Sequence, residues 1–238
     1  LNTVVLRNLL PKTSYSYIVG SNDTTPVWSK TPYRFANGPF LDVARPLRLA
    51  VVGDMGASNI SDATLQHLHS LVQSGGMDVV LHDGDTAYAD GLSFIFDVYG
   101  RKTEPLFTAE VPTLYTIGNH ESIFFGGLEF YSRYVAPNSK TPSPDPNLIW
   151  SIDLEVVHII GLNSEDAEDT AYISNAQIAW LAADLAAVNR SATPWIIVML
   201  HRPLYCSSSS TECGVFGTLL RDAVEDLFFK FGVDFVIQ

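Results

Sequence analysis

The chain has 238 residues, 47% of them hydrophobic, with 26 acidic against 14 basic side chains and a formal net charge of -12. That length buries one sizeable core and part of a second. A surface so negative repels phosphate backbones, which argues against a nucleic-acid partner, and no apolar run reaches membrane-spanning length, which argues against a membrane one.

Residues 1 to about 38 differ from the rest. Val4 to Leu6, and Tyr15, Tyr17, Ile18 and Val19, read as short β runs, with turns at Pro11–Thr13 and Gly20–Pro26. From Pro46 onward the pattern is strand, loop, helix, repeated. An apolar strand over 47–52 breaks at Gly53-Asp54-Met55-Gly56, and a helix follows at about 61–74. The strand over 79–81 breaks at Asp83-Gly84-Asp85, and a helical stretch covers about 92–109. The strand over 113–117 runs into Gly118-Asn119-His120-Glu121, and 148–163 reads as a β-hairpin. Ser174-x-x-Gln177 is a capping box, after which Ile178, Leu181, Leu185 and Val188 share one helical face. A strand over 196–200 delivers His201, and a helix at about 217–230 precedes a terminal strand at 233–237. Repeated βα units imply parallel strands between helices.

The chain starts at Leu1 and stops at Gln238, directly after a strand-like run, and so reads as an internal piece of a longer chain. Cys206 and Cys213 flank a soft loop short enough for a disulfide, the alternative being two free thiols in the cytosol. Sequons at Asn22, Asn59 and Asn189 favour an exported glycoprotein.

Four apolar strands each end in a polar cluster: Asp54, then Asp85 with Tyr88, then Asn119 with His120, then His201. Sites in open α/β sheets form at the carboxyl ends of strands, so the fold brings these residues to one sheet edge. They offer oxygen and nitrogen donors and no thiolate, a set suited to iron, zinc or manganese. A phenol titrates near 10, so Tyr88 is a phenolate at acid or neutral pH only on a strong Lewis acid, which trivalent iron is. Asp85 lies between the half-sets and is placed to bridge two ions, an arrangement that fits phosphate ester hydrolysis. Each residue alone has an ordinary explanation. Asp54, Asp85 and Asn119 are turn formers, Tyr88 is a packable aromatic, and His201 is a core histidine.

Gly53-Asp54-Met55-Gly56, Gly84-Asp85-x-x-Tyr88, Gly118-Asn119-His120-Glu121 and Val198-x-x-His201 resemble four of the five metallophosphoesterase motifs, and Tyr88 resembles the purple acid phosphatase form. Trp150-Ser151-Ile152, Gln177-x-x-Trp180-Leu181 and His201-x-Pro203-x-Tyr205 extend the likeness. It implies an α/β fold, a metallophosphoesterase β-sandwich flanked by helices over 46–238. Residues 1–40 would be the trailing strands of a fibronectin type III-like domain, whose tyrosine corner Leu9-Leu10-Pro11-x-Thr13-x-Tyr15 resembles. The resemblance implies Asp54 and Tyr88 on Fe(III), Asn119 and His201 on a divalent Zn, Mn or Fe ion, and Asp85 bridging. His120, with Asn119, would contact the substrate phosphate, and His120 would protonate the leaving group.

The implied activity is an acid phosphatase hydrolysing small phosphate monoesters through a metal-bound hydroxide. A phosphodiesterase or nucleotide pyrophosphatase on the same core is the alternative, or a non-catalytic phosphate-binding module if the chain truly ends at Gln238. The family's fifth motif, Gly-His-x-His, is absent and expected beyond that residue. A secreted, extracellular or vacuolar–lysosomal setting follows, and a homodimer is compatible with the sequence. Among the neighbours, His67 and His69 read as solvated, His158 as structural, and His82 as a hydrogen-bonder behind the ligands. Asp90 and Glu121 read as motif neighbours rather than ligands, and Arg202 as either a phosphate attractor or a salt-bridge partner.

Overall fold

Strands whose residues are apolar on both faces must be covered on both faces, and the architecture follows from that requirement. The computed structural model describes residues 4–21, 25–38, 46–122, 127–166, 172–209 and 212–238. Strands β1 (Thr13–Tyr17), β2 (Gly20–Ser21), β3 (Val27–Trp28) and β4 (Tyr33–Asn37) come first. Then follow β5 (Leu49–Val52), α1 (Asp62–Ser74), β6 (Val79–Asp83), α2 (Ser93–Thr103) and β7 (Thr113–Thr116). Two short helices, α3 (Asn119–Ser122) and α4 (Leu128–Tyr131), lead to β8 (Trp150–Leu154) and β9 (Val157–Gly161). The chain continues through α5 (Asn175–Ala187), β10 (Trp195–Met199), α6 (Gly217–Phe231) and β11 (Phe235–Ile237).

The strands from β5 to β11 form two sheets rather than one, apart from the two-stranded pairs β1–β4 and β2–β3 of the leading segment. β5, β6 and β7 are parallel in that order. The second sheet runs β11-β10-β9-β8, parallel except for the antiparallel β8–β9 hairpin. Val79 and Leu81 of β6 pack against Trp150, Val157, Ile159, Ile197 and Met199, so the sheets meet face to face through one buried cluster. Alternation then sends the intervening residues outward. Ile160, Ile196 and Val198 meet Leu181 and Leu185 of α5 and Leu220, Val224 and Phe228 of α6. Val80 meets Leu65 and Leu68 of α1 and Phe96 and Tyr99 of α2. One sheet is parallel, the other mixed, and both are flanked by helices, as expected of an α/β sandwich. The expectation of a single sheet edge is corrected: the site residues come from the same end of two sheets.

Local signals explain the helix ends. Gly75 and Gly232 stop α1 and α6 in left-handed conformation. The Ser174 hydroxyl accepts a hydrogen bond from the Gln177 amide and caps α5. Gln177 does not complete the capping box. Its side chain turns into the core, where it accepts from the Asn163 amide and donates to the Asn163 carbonyl. The stretch after α2 widens into a π-helical turn at Glu104–Thr108, which contains Pro105.

In the leading segment β1 pairs antiparallel with β4, and Tyr15 stacks on Phe35 with ring centroids 5.6 Å apart. The β run expected at Val4 to Leu6 is not a strand. These residues are exposed and pair with no described strand. The hairpin is tied to the main body by the Tyr17 hydroxyl donating to the Ala109 carbonyl at 2.6 Å, and by the Tyr33 hydroxyl donating to Glu104.

Candidate metal centre

Each candidate ligand sits just past a strand, in a loop whose backbone is bent to aim it. Asp54 follows β5, Asp85 and Tyr88 follow β6, Asn119 follows β7, and His201 follows β10. Asp54, Asp85, Tyr88 and Asp90 all have positive φ, between 47° and 53°. Such values strain a residue with a side chain by about 1–3 kcal/mol each, and four in two loops mark a geometry imposed for function.

Two glycines make room. A Cβ on Gly84, whose φ is 74°, would sit 2.7 Å from the His201 ring. A Cβ on Gly118 would sit 2.3 Å from the Asp85 amide and carboxylate. Glycine is therefore required for close approach at both. It lets the loops of β6, β7 and β10 converge.

The converged groups are close. Ligand atoms of Asp54, Asp85 and His201 lie within 4.8 Å of one another, forming a cluster able to coordinate a metal ion. The Tyr88 hydroxyl donates to Asp54 Oδ1 at 2.6 Å. His201 Nε2 lies 3.1 Å from Asn119 Oδ1 and 3.3 Å from Asp85 Oδ1. His201 Nδ1 lies 2.9 Å from the Asp83 carbonyl, which is an acceptor only, so that nitrogen carries a proton and Nε2, which faces the cluster, is the nitrogen a metal would take in place of its own proton. Burial opposes charge on His201, yet the Asp85 carboxylate outweighs it and raises the pKa to about 9. Burial likewise works against Asp85, but His201 holds its carboxyl below the ordinary range. Burial, then the bond to Asp54, pushes the Tyr88 phenol above its ordinary value, so the protein groups alone keep it neutral. These oxygen and nitrogen donors, which include two carboxylates held close together and cradled by glycines, fit a hard or borderline cation.

His120 stands at the rim. Its amide donates to Asp85 Oδ1 at 3.0 Å, its ring packs on Tyr88 with centroids 4.2 Å apart, and its Nδ1 lies 2.6 Å from Asp90 Oδ1. Asp90, read from sequence as a motif neighbour, is thus partnered with the candidate residue His120. The signal available for it was a second carboxylate in the Gly84-Asp85-x-x-Tyr88-x-Asp90 loop. Glu121 is buried and accepts from the Thr86 and Gly118 amides, bracing the β6 and β7 loops. Arg202 resolves to the salt bridge: its guanidinium donates to Glu165 and lies over the Tyr172 ring. His82 is a correction. It is fully buried, stacks on Tyr115, and neither ring nitrogen has a hydrogen-bond partner among the described residues. Burial drives its pKa down to about 3, so it stays neutral. His67 is exposed as expected, whereas His69 is half-buried and its Nδ1 reaches the Leu106 carbonyl at 3.0 Å.

Cys206 and Cys213 form a disulfide, their Cα atoms 5.5 Å apart. Asn59 and Asn189 are exposed, while Asn22 lies outside the described residues. No helix among the described residues is long and apolar enough to cross a membrane.

A sandwich with an oxygen–nitrogen ligand cluster at one end is the architecture of a metal-dependent phosphoesterase, and residues 47–238 match the calcineurin-like phosphoesterase family. Within that superfamily the chain belongs to the purple acid phosphatases. It is 34% identical to purple acid phosphatase 22 of Arabidopsis thaliana, over 100% of this chain and 51% of that protein. It is 36% identical to acid phosphatase type 7 of Homo sapiens, over 98% of this chain and 54% of that protein. The fold matches the structure of purple acid phosphatase PPD1 from yellow lupin (Lupinus luteus) seeds with a TM-score of 0.74 and 24% identity, over 97% of this chain and 44% of that one. The chain spans about half the length of the curated relatives it matches.

Proposed function

We propose that the protein is an acid phosphatase that hydrolyses small phosphate monoesters at a dinuclear Fe(III)–M(II) centre, with M being zinc, manganese or iron. The observation that carries this reading is the convergence of Asp54, Asp85 and His201 within 4.8 Å, with Tyr88 bonded to Asp54. Asp54 and Tyr88 would hold the ferric ion, Asn119 and His201 the divalent one, and Asp85 both. When bound, the metal pair supplies Lewis acidity and an acidified water that serves as nucleophile.

The remaining steps fall to the protein. Asp85 fixes the position of His120 through its backbone amide, so ligand and rim residue move as one unit. Asn119 and His120 would contact the substrate phosphate. His120 Nδ1 is held by Asp90, which leaves Nε2 free to hydrogen-bond a phosphate oxygen or give a proton to the departing alkoxide.

Three further assignments accompany this reading. The Leu10 amide donates to the Tyr15 hydroxyl at 2.7 Å, the local bond of a tyrosine corner. It supports assigning residues 1–40 to the end of a fibronectin type III-like domain, with 46–238 the catalytic domain. The disulfide and the exposed Asn59 and Asn189 favour a glycosylated protein of an oxidising compartment, extracellular or vacuolar–lysosomal.

The test is alcohol release by the complete natural protein from a monoester and a diester, before and after metal removal. Monoester turnover that disappears on chelation and returns with iron plus a divalent ion is expected. Faster diester turnover would replace the monoesterase reading with a phosphodiesterase, and activity that survives demetallation would overturn metal dependence.

A further inference from the structure

A groove of about 610 Å³ opens beside the metal cluster, and Asp54 and Tyr88 form one end of its wall. The rest is apolar, built chiefly from Met55, Ile60, Phe94 and Val98. None of the lining side chains is cationic. Its outer wall goes against the usual economy of a surface helix. α2 buries Phe96 and Tyr99, yet it also turns Phe94 and Val98, one helical turn apart, outward with 61% and 40% of their surface exposed. Ile60, on the opposite bank, is 94% exposed. Apolar residues gathered around a concave surface and continuous with a polar site are the usual form of a ligand subsite.

Continuity decides what fits. Asp54 and Tyr88 belong both to the ligand cluster and to the lining of the groove, so an ester whose phosphate is held at the cluster lies alongside it. An alcohol moiety entering the groove meets methyl, methylene and ring surface. Lys102, which donates to the carbonyl of the lining Ser58, is paired with Asp62, and no lining side chain offers positive charge to a second phosphate or a carboxylate. We propose that this groove seats the alcohol portion of the substrate, making the enzyme selective for phosphate monoesters of apolar aryl or alkyl alcohols. The proposal rests on the monoesterase reading above and narrows it.

The experiment measures kcat/KM of the complete, metal-loaded protein for n-alkyl phosphates from ethyl to octyl, alongside calorimetric Kd values for ethylphosphonate and octylphosphonate. Burial of methylenes predicts a rise of roughly two- to fourfold per CH2 in kcat/KM and at least about 30-fold tighter binding of octylphosphonate. Phe94→Ser should flatten both dependences. Ile60→Gln, which preserves the Asn59-x-Ser61 sequon, is the second variant and does the same from the other bank. Phosphate release with no chain-length dependence in the wild type would overturn the groove assignment, as would a dependence that both variants leave intact. Absence of release from every ester would instead remove the phosphatase reading, and the phosphonate series would still decide the groove.

Discussion

Nδ1 of His120 lies 2.6 Å from a carboxylate oxygen of Asp90, while Nε2 of the same ring faces Asp85 at 3.8 Å. The ring is thus held on one side by a carboxylate that holds no other place in the metal cluster. Asp90 is a positioning residue for His120, and its strained φ of 47° fits that task. Asp90→Asn keeps the shape and removes the charge. Its kcat for a monoester should fall about 10- to 100-fold while metal content stays at the wild-type level. Steady-state kinetics with metal analysis on the same sample checks this, and an unchanged kcat would reduce the pair to a surface contact.

The glycines separate site from scaffold. Gly118→Ala forces a methyl group to within 2.3 Å of the Asp85 amide and carboxylate. Metal content should drop, with stability lower by about 1–3 kcal/mol. Gly100 lies inside α2 with no atom within 4 Å of where its Cβ would be. Gly100→Ala should therefore raise stability by up to about 1 kcal/mol and leave metal content unchanged. Denaturant titration and metal analysis of the two variants read both effects.

His158 tunes stability toward acid. It lies opposite Asp153 across the β8–β9 hairpin. Its Nδ1 is 2.6 Å from Asp153 and its Nε2 2.9 Å from Asp184 of α5, which also accepts from the Ser151 hydroxyl. Lys140 pairs with Asp153 as well. Ionised carboxylates only accept, so both contacts require the doubly protonated imidazolium. Burial opposes that charge, but Asp184 and Asp153 outweigh it and raise the His158 pKa above 6.5. Burial likewise opposes ionisation of Asp153, yet His158 and Lys140 hold its pKa below 3.8. A raised histidine contributes stability that is complete below 6.5 and fades as pH climbs through its folded value. A depressed aspartate contributes stability that is complete above 3.8 and fades as pH drops through its folded value. The clasp is therefore strongest between these two limits. His158→Ala strands the buried Asp184 and should cost about 3–5 kcal/mol at pH 5 and visibly less at pH 9. Equal losses at both pH values in denaturant melts would contradict this account.

Much of this was readable from residue order alone. An apolar strand ending in Gly-Asp or Gly-Asn-His announces both its own burial and the place of its ligand, because loop chemistry and strand pattern are local. The candidate ligands and the disulfide pair came from such local patterns. Pairings between distant segments were not readable in the same way. Nothing near His158 points to Asp184, which is 26 residues away on another element. The inward turn of Gln177 depends on where Asn163 lands, and the stacking of His82 on Tyr115 depends on the β6–β7 register. Division of the strands into two sheets was implied by the family resemblance and not by the strand patterns, for the same reason. Each β run satisfies its own pattern equally well in one sheet or two.

The central claim is that this cluster holds catalytic metal, and Asp85 is the residue on which it turns. The most direct measurement is metal content and monoester hydrolysis of the complete protein carrying Asp85→Ala, compared with wild type. The account predicts that the variant loses bound metal and that phosphate release falls to the background rate while the protein remains folded. A folded variant that keeps its metal and hydrolyses the ester at the wild-type rate would contradict it.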